Sequence, residues 1–197
     1  MADILYNYGG STYANITNKC NCRCKFCIRF LTDGIGDADT LWHQVNPTEE
    51  EVLEAIRNYD FGDNKELVFC GYGEPTCELG ILLSAAKCAK EEKGLSLRLN
   101  TNGLGSAENG YDIVPDLAKY IDCVSISLNA PSAGVYKDVT RPQIENAYEE
   151  MRSFARRCKE LIPEVKWTVV DVISEEDIEE CRKISEEEGI TLRVRNF

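Results

Sequence analysis

Histidine is nearly missing from this chain: His43 is the only one in 197 residues. A zinc site built on paired histidines therefore has nothing to draw on, and no Ser/His/Asp constellation can be assembled around more than one position. Positive charge is also scarce. Twenty-two Lys and Arg stand against 34 Asp and Glu, a net charge of −12. A surface of that sign repels phosphates, which excludes general affinity for nucleic acid or for anionic membrane. No apolar run approaches the roughly 20 residues of a membrane span. The opening "MADILYNYGG" carries an early acid and no basic stretch, so it does not read as a secretory signal. A cytoplasmic location is the expectation. Repeats, linkers and low-complexity tracts are lacking too, and the length suits one domain over 1–197.

Cysteine, by contrast, is abundant, with ten residues. A disulfide scaffold fits poorly, because such scaffolds are short and lack a core, whereas this chain has a full set of core elements. Cys88, Cys158 and Cys181 fall on helical patterns, where a free thiol behaves as a small hydrophobe. Cys70 lies within an apolar strand and reads as core. Four others crowd into "KCNCRCKFCIRF", residues 19–30.

Strand and helix patterns alternate along the chain. Strands are expected at 13–18, 66–75, 95–103, 123–131, 165–173 and 191–197. Helices are expected at 46–59, 79–92, 112–121, 144–160 and 174–189. Asn46 can cap the first helix, with Pro47 in its first turn; Ser174 can cap the last, with Gly189 as its stop. Such alternation means parallel strands with right-handed crossovers, in an open doubly wound sheet or a partial barrel. The segment 28–45 is long and irregular, as functional or disordered loops are.

Three strands alternate polar with apolar. Arg98, Asn100 and Asn102 alternate with Leu97, Leu99 and Thr101. Ser125, Ser127 and Asn129 do so on the next strand, and Thr191, Arg193 and Arg195 on the last. Strands buried on both faces should be apolar throughout. A shared polar face suggests a lumen holding a polar ligand, with Arg98, Arg193 and Arg195 able to grip a carboxylate or phosphate. The alternative for Arg193 and Arg195 is an edge strand facing water. Trp42 and His43 could belong to a lid. Cys77 is a weak catalytic candidate, and a packed loop thiol is the plainer reading.

Cys24 and Cys27 form one C-x2-C turn, but structural zinc usually needs a second ligand pair. A redox C-x-x-C has no use for two further thiols upstream. An iron–sulfur cluster accepts closely spaced thiolates from one loop. Lys19, Arg23, Lys25 and Arg29 alternate around the cysteines, a local reversal of sign that would stabilise thiolates. A closed structural site of four cysteines, in a metal-binding interaction module, stays open at this point.

The spacing Cys20-x3-Cys24-x2-Cys27, with Phe26 before the last cysteine, resembles the radical SAM family. "GYGEP" (71–75) resembles that family's Gly-Gly-Glu-Pro motif, with Tyr72 in place of the second glycine, a change expected to crowd the site. "LNTNG" and "VSISLNAP" resemble its next two strand ends. The resemblance covers essentially the whole chain and implies an α/β partial (β/α)6 TIM-like barrel, open on one side. It implies a 4Fe–4S cluster on Cys20, Cys24 and Cys27, with Cys22 spare and one iron left for S-adenosylmethionine. Cofactor contacts are implied for Phe26, Gly71, Tyr72, Gly73, Glu74, Asn100, Asn102, Ser127 and Asn129. It further implies reductive cleavage of S-adenosylmethionine and hydrogen abstraction from a small molecule or a protein segment. The electron would come from a donor such as flavodoxin or ferredoxin. Activation of a partner protein is the main alternative within the family. The same motifs are most similar to the TatD-linked radical SAM proteins.

Overall fold

Gly9 and Gly10 both take positive φ, +56° and +85°. Two such residues in succession make a tight hairpin turn whose twist matches its strands. They join β1 (Leu5–Tyr8) to β2 (Ser11–Ala14), paired antiparallel. The sequence reading did not include β1, and it placed the next strand two residues too late. The structure, a computed structural model, describes residues 2–197.

After the hairpin come α1 (Glu49–Asn58), β3 (Glu66–Phe69), α2 (Leu79–Lys93) and β4 (Ser96–Thr101). Then follow the short helices α3 (Gly105–Asn109) and α4 (Val114–Leu117), and β5 (Cys123–Ser127). The chain continues through α5 (Ala133–Thr140), α6 (Ala147–Leu161), β6 (Glu164–Val170), α7 (Glu175–Glu188) and β7 (Thr191–Arg195). α5 lies in a stretch read as loop; its start is capped by Ser132, whose hydroxyl accepts from the Val135 amide. α1 is capped by Thr48 rather than Asn46, in a reciprocal box with Glu51. Asn46 is released for another task, described below.

The seven strands lie in the order β1-β2-β3-β4-β5-β6-β7, and every pair after the first is parallel. A doubly wound sheet needs a reversal of strand order. Here the order never reverses, so right-handed crossovers send every helix to the same face. The result is a partial barrel whose two edge strands, β1 and β7, do not meet. Leu67, Phe69, Leu97, Leu99, Val124, Ile126, Trp167 and Val169 point to the helix side and are fully buried. Truncating one of them, such as Leu99 to Ala, is worth about 2–5 kcal/mol.

The register defines the other face. Arg98 is opposite Cys123, Asn100 opposite Ser125, Ser125 opposite Lys166 and Lys166 opposite Thr191. Ser127 is opposite Thr168, Thr168 opposite Arg193 and Val170 opposite Arg195. The three polar alternations therefore fall on one continuous inner face.

Candidate active site

Parallel strands deliver all their C-terminal ends to one rim. The cysteine loop leaves β2 there, and the Gly71–Glu74 turn leaves β3 beside it. These two turns are fused by close contact. A Cβ at Gly71 would sit 2.1 Å from Asn15 Oδ1, and one at Gly73 would sit 2.3 Å from the Thr17 carbonyl and 2.6 Å from that of Lys19. Only glycine fits at either place. The Glu74 amide donates to the Lys19 carbonyl at 2.7 Å, one residue before Cys20.

Glu74 was expected as a cofactor contact, but its side chain is committed to the protein. The carboxylate is buried and accepts from the Thr76 amide and hydroxyl, the Thr101 hydroxyl and the Asn102 amide. It ties the ends of β3 and β4 together. Burial pushes its carboxyl upward against those four donors. Asn102 is likewise engaged. Its side-chain nitrogen donates to Asn21 Oδ1 at 2.6 Å and lies 3.6 Å from Cys22 Sγ, while its oxygen accepts from the Leu104 amide. Asn102 is thus an anchor for the cysteine loop.

Tyr72 does not crowd the rim. It is buried beside Tyr6 and Leu41, meets Trp42 edge-on at 5.3 Å, and its hydroxyl donates to the Thr32 carbonyl. The long segment 28–45 is ordered by these contacts. It also follows the free edge of β1, where the Asp37 amide donates to the Asn7 carbonyl and the Asp3 amide to that of Thr40. His43 is not a surface residue. It is buried, with Nε2 2.9 Å from both the carbonyl and the side-chain nitrogen of Asn15, and burial holds its pKa below the usual value. Trp42 and His43 fasten this strap in place.

Within the cysteine loop, Cys20, Cys24 and Cys27 are half-buried, whereas Cys22 is 3% exposed and packs into the main core. Burial pushes the Cys20 thiol up to about 12 and raises that of Cys27. Cys24 is lowered because the Cys22 thiol donates to it. One cation acts on all three half-buried cysteines: Arg29, folded inward against Phe30 and Trp42, favours each thiolate. Of the other basic neighbours, Lys19 is paired outward with Glu78, and Arg23 and Lys25 are exposed. The alternation of charge was legible in the sequence; which cation turns inward was not. Phe26 is half-buried between the two last cysteines. Cys77 packs against the loop, with its thiol accepting from the Asn21 amide and pushed up to about 12 by burial, so it is poorly ionised.

Asn100 and Ser127 lie on the inner face near the rim, and Asn129 follows β5 with a φ of +56°. Oδ1 of Asn100 and Oδ1 of Asn129 are buried acceptors without a partner, and Asn129 is only 5% exposed. Buried polar atoms are normally satisfied, so two such acceptors at one rim ask for a ligand with donors. Cys70, expected in the core, is on this inner face; the Asn100 side chain and the Arg195 and Arg98 charges all act on its thiol. Arg98 is drawn away from the rim by Glu66, at 2.8 Å. Arg193 and Arg195 are exposed on β7, on the inner face but at its open edge.

Among the described residues no three His, Cys, Asp or Glu side chains converge as a single metal ion would require. A 4Fe–4S cluster makes a different demand, since each thiolate meets its own iron. Three half-buried thiols, a fourth more deeply buried against Cys24, an inward arginine, a glycine-lined turn and orphaned acceptors fit such a cluster with S-adenosylmethionine beside it.

Solved structures share this fold. SuiB from Streptococcus suis, bound to precursor peptide SuiA, superposes with a TM-score of 0.70 at 18% identity, over 92% of this chain and 38% of that one. The enzyme anSMEcpe with bound AdoMet gives 0.68 at 16% identity, over 93% and 50%. Methylornithine synthase (PylB) gives 0.66 at 12%, over 94% and 52%. The chain thus spans from over a third to about half the length of these neighbours. No curated protein sequence matches it. The family description "Radical SAM superfamily" matches residues 14–187, and with the motifs and the fold in agreement, the chain belongs to the Radical SAM superfamily.

Proposed function

We propose that the protein is a radical S-adenosylmethionine enzyme whose cluster is held by Cys20, Cys24 and Cys27. The observation that carries this reading is the meeting, at one rim, of three half-buried thiols with the partnerless acceptors of Asn100 and Asn129. Cys20, Cys24 and Cys27 would hold the cluster, and with S-adenosylmethionine beside it the pair would supply reductive cleavage and hydrogen abstraction at this rim.

The chain's own residues bind and orient. Gly71 and Gly73 let the β3 turn lie against the cysteine loop, so backbone groups of that turn can reach the methionyl amine. Asn100 and Asn129 offer oxygens to hydroxyl or ammonium donors, and Ser127 offers a hydroxyl beside them. Arg29 offsets the negative charge that thiolate ligation brings. Tyr72 and the 28–45 strap shield the same end from water.

The substrate has an anionic group, gripped by Arg193 and Arg195 at the open edge. The open side admits a small molecule or a protein segment. SuiB and anSMEcpe, which bind the peptides SuiA and Cp18Cys, support the segment. The five motif segments further suggest the TatD-linked subgroup, and the ten unpaired cysteines suit the reducing cytoplasm.

Anaerobic reconstitution with iron and sulfide, then reductant and S-adenosylmethionine, should yield 5′-deoxyadenosine. Full cluster occupancy without cleavage would sink the proposal. A closed structural site would instead show iron or zinc loss on Cys22→Ala as severe as on Cys24→Ala.

A further inference from the structure

The two edges of the open barrel look onto one side chain, Cys70. Tyr6 of β1 and Tyr13 of β2 are register partners, and Tyr13 is opposite Val68, which is opposite Arg98. Both rings therefore stand on the inner face. They stack at 5.3 Å with 28° between their planes, and Tyr8 meets Tyr13 edge-on at 6.0 Å. The wall is fixed from behind. The Tyr6 hydroxyl donates to the Cys70 carbonyl at 3.2 Å, and Tyr6 packs with Tyr72 and Leu41. Tyr13 is only half-buried, so part of its ring is open to the lumen, and Tyr8 is exposed.

The other edge answers this wall with charge. Burial raises the Tyr13 phenol, and the neighbouring Cys70 thiol adds to that rise. Burial raises Cys70 in turn, while the Asn100 side chain and the Arg195 and Arg98 charges pull the other way. Arg195 belongs to β7, at the far edge of the sheet, so its charge reaches Cys70 across the lumen. Arg98 is neutralised by Glu66, but among the described residues Arg193 and Arg195 form no ion pair. That is notable on a molecule whose net charge is −12. Between wall and cation the floor carries the modest side chains of Val68, Asn100 and Ser125. Tyrosine rings gain from being covered by another ring, and a free guanidinium gains from a carboxylate or phosphate.

We propose that this recess binds an aromatic acid, its ring packed on Tyr13 and its anionic group on Arg195. This names the substrate class of the site above and rests on that reading. The short chain that joins ring to acid then lies over Cys70 and Asn100, just below the rim where the cofactor would sit. A free aromatic acid and an aromatic residue flanked by acidic ones in a peptide share this chemistry.

The test titrates 3-phenylpropionate into the full reconstituted chain, by calorimetry, without reductant or S-adenosylmethionine. The probe should bind. Hexanoate, which lacks the ring, and 3-phenylpropanol, which lacks the charge, should each bind about tenfold more weakly. Tyr13→Leu and Arg195→Gln should each weaken the probe about tenfold, whereas Tyr13→Phe should keep wild-type affinity. Arg195 is exposed on an edge strand, so its variant tests the site even where Tyr13→Leu folds poorly. A capped peptide with Phe between two Asp residues tests the second source. Tighter binding than the free acid assigns the recess to a protein segment, weaker binding to a small molecule, and either upholds the proposal when Arg195→Gln weakens it. No binding of probe or peptide at millimolar concentration, equal binding of hexanoate, or indifference to Arg195→Gln would overturn it. A chain that binds the probe yet yields no 5′-deoxyadenosine once reductant and S-adenosylmethionine are added would strike the cluster reading alone, because binding is measured without cleavage.

Discussion

Gly73 has the Thr17 carbonyl where its side chain would be, so the turn after β3 lies directly on the chain that leads into the cysteine loop. That contact makes the two turns one rigid piece. Gly73→Ala must push backbone against backbone. We expect a loss of about 1–3 kcal/mol in urea unfolding and a reduced iron content after reconstitution. Wild-type values for both would show the contact to be soft.

Glu74 gives a second test of the same junction. A glutamine has one acceptor oxygen where the carboxylate has two, and its amide nitrogen would face the Asn102 N–H or the Thr76 and Thr101 donors. Glu74→Gln should therefore cost about 1–3 kcal/mol. It should also speed hydrogen exchange at the Asn102 amide, which a general loss of charge would not single out.

Cys22 separates a three-ligand loop from a four-ligand one. Its thiol is buried in the core. Cys22→Ala should retain iron and the absorption of the cluster, with a stability cost of about 0.5–3 kcal/mol. Cys20→Ala, Cys24→Ala and Cys27→Ala should each lose the cluster.

His43 makes the strap sensitive to pH. Burial lowers its folded pKa beneath the ordinary value of 6.5. The unfolded chain then binds the extra proton more readily, so the stability that neutral His43 contributes is present above about 6.5 and declines as pH falls toward the folded pKa. Trp42 fluorescence should change in that window as its contact with Tyr72 loosens. His43→Gln should abolish the transition.

Much of this was legible from periodicity. The polar alternation of Arg98–Asn100, Ser125–Ser127 and Arg193–Arg195 anticipated a common inner face, because side chains in a strand have period two. The Cys20, Cys24, Cys27 spacing and the Gly71–Gly73 turn marked the rim. The β1 hairpin was missed although Gly9-Gly10 is its signal. α5 was missed because its eight residues are few and only Ser132 announces its start. Cys70 was misread because Val68 replaces a polar residue on the inner side of β3, so the strand looks uniformly apolar. Tyr72 and Asn102 take their roles from partners such as Tyr6 and Asn21, more than 60 residues away, and Arg29 turns inward through its packing on Trp42, which no local pattern encodes.

The strap that begins at Cys27 returns to where the cysteine loop starts. The Asn18 amide donates to Asn46 Oδ1 at 2.9 Å, the Asn18 side-chain nitrogen to the His43 carbonyl at 2.7 Å, and the His43 amide to Asn18 Oδ1 at 3.3 Å. This polar clasp closes the chain from Asn18 to Asn46 into a ring. Closing a ring costs chain entropy, and here folding meets that cost before any iron arrives. The thiols are offered from a tethered loop, and the affinity for a cluster is correspondingly less taxed by ordering.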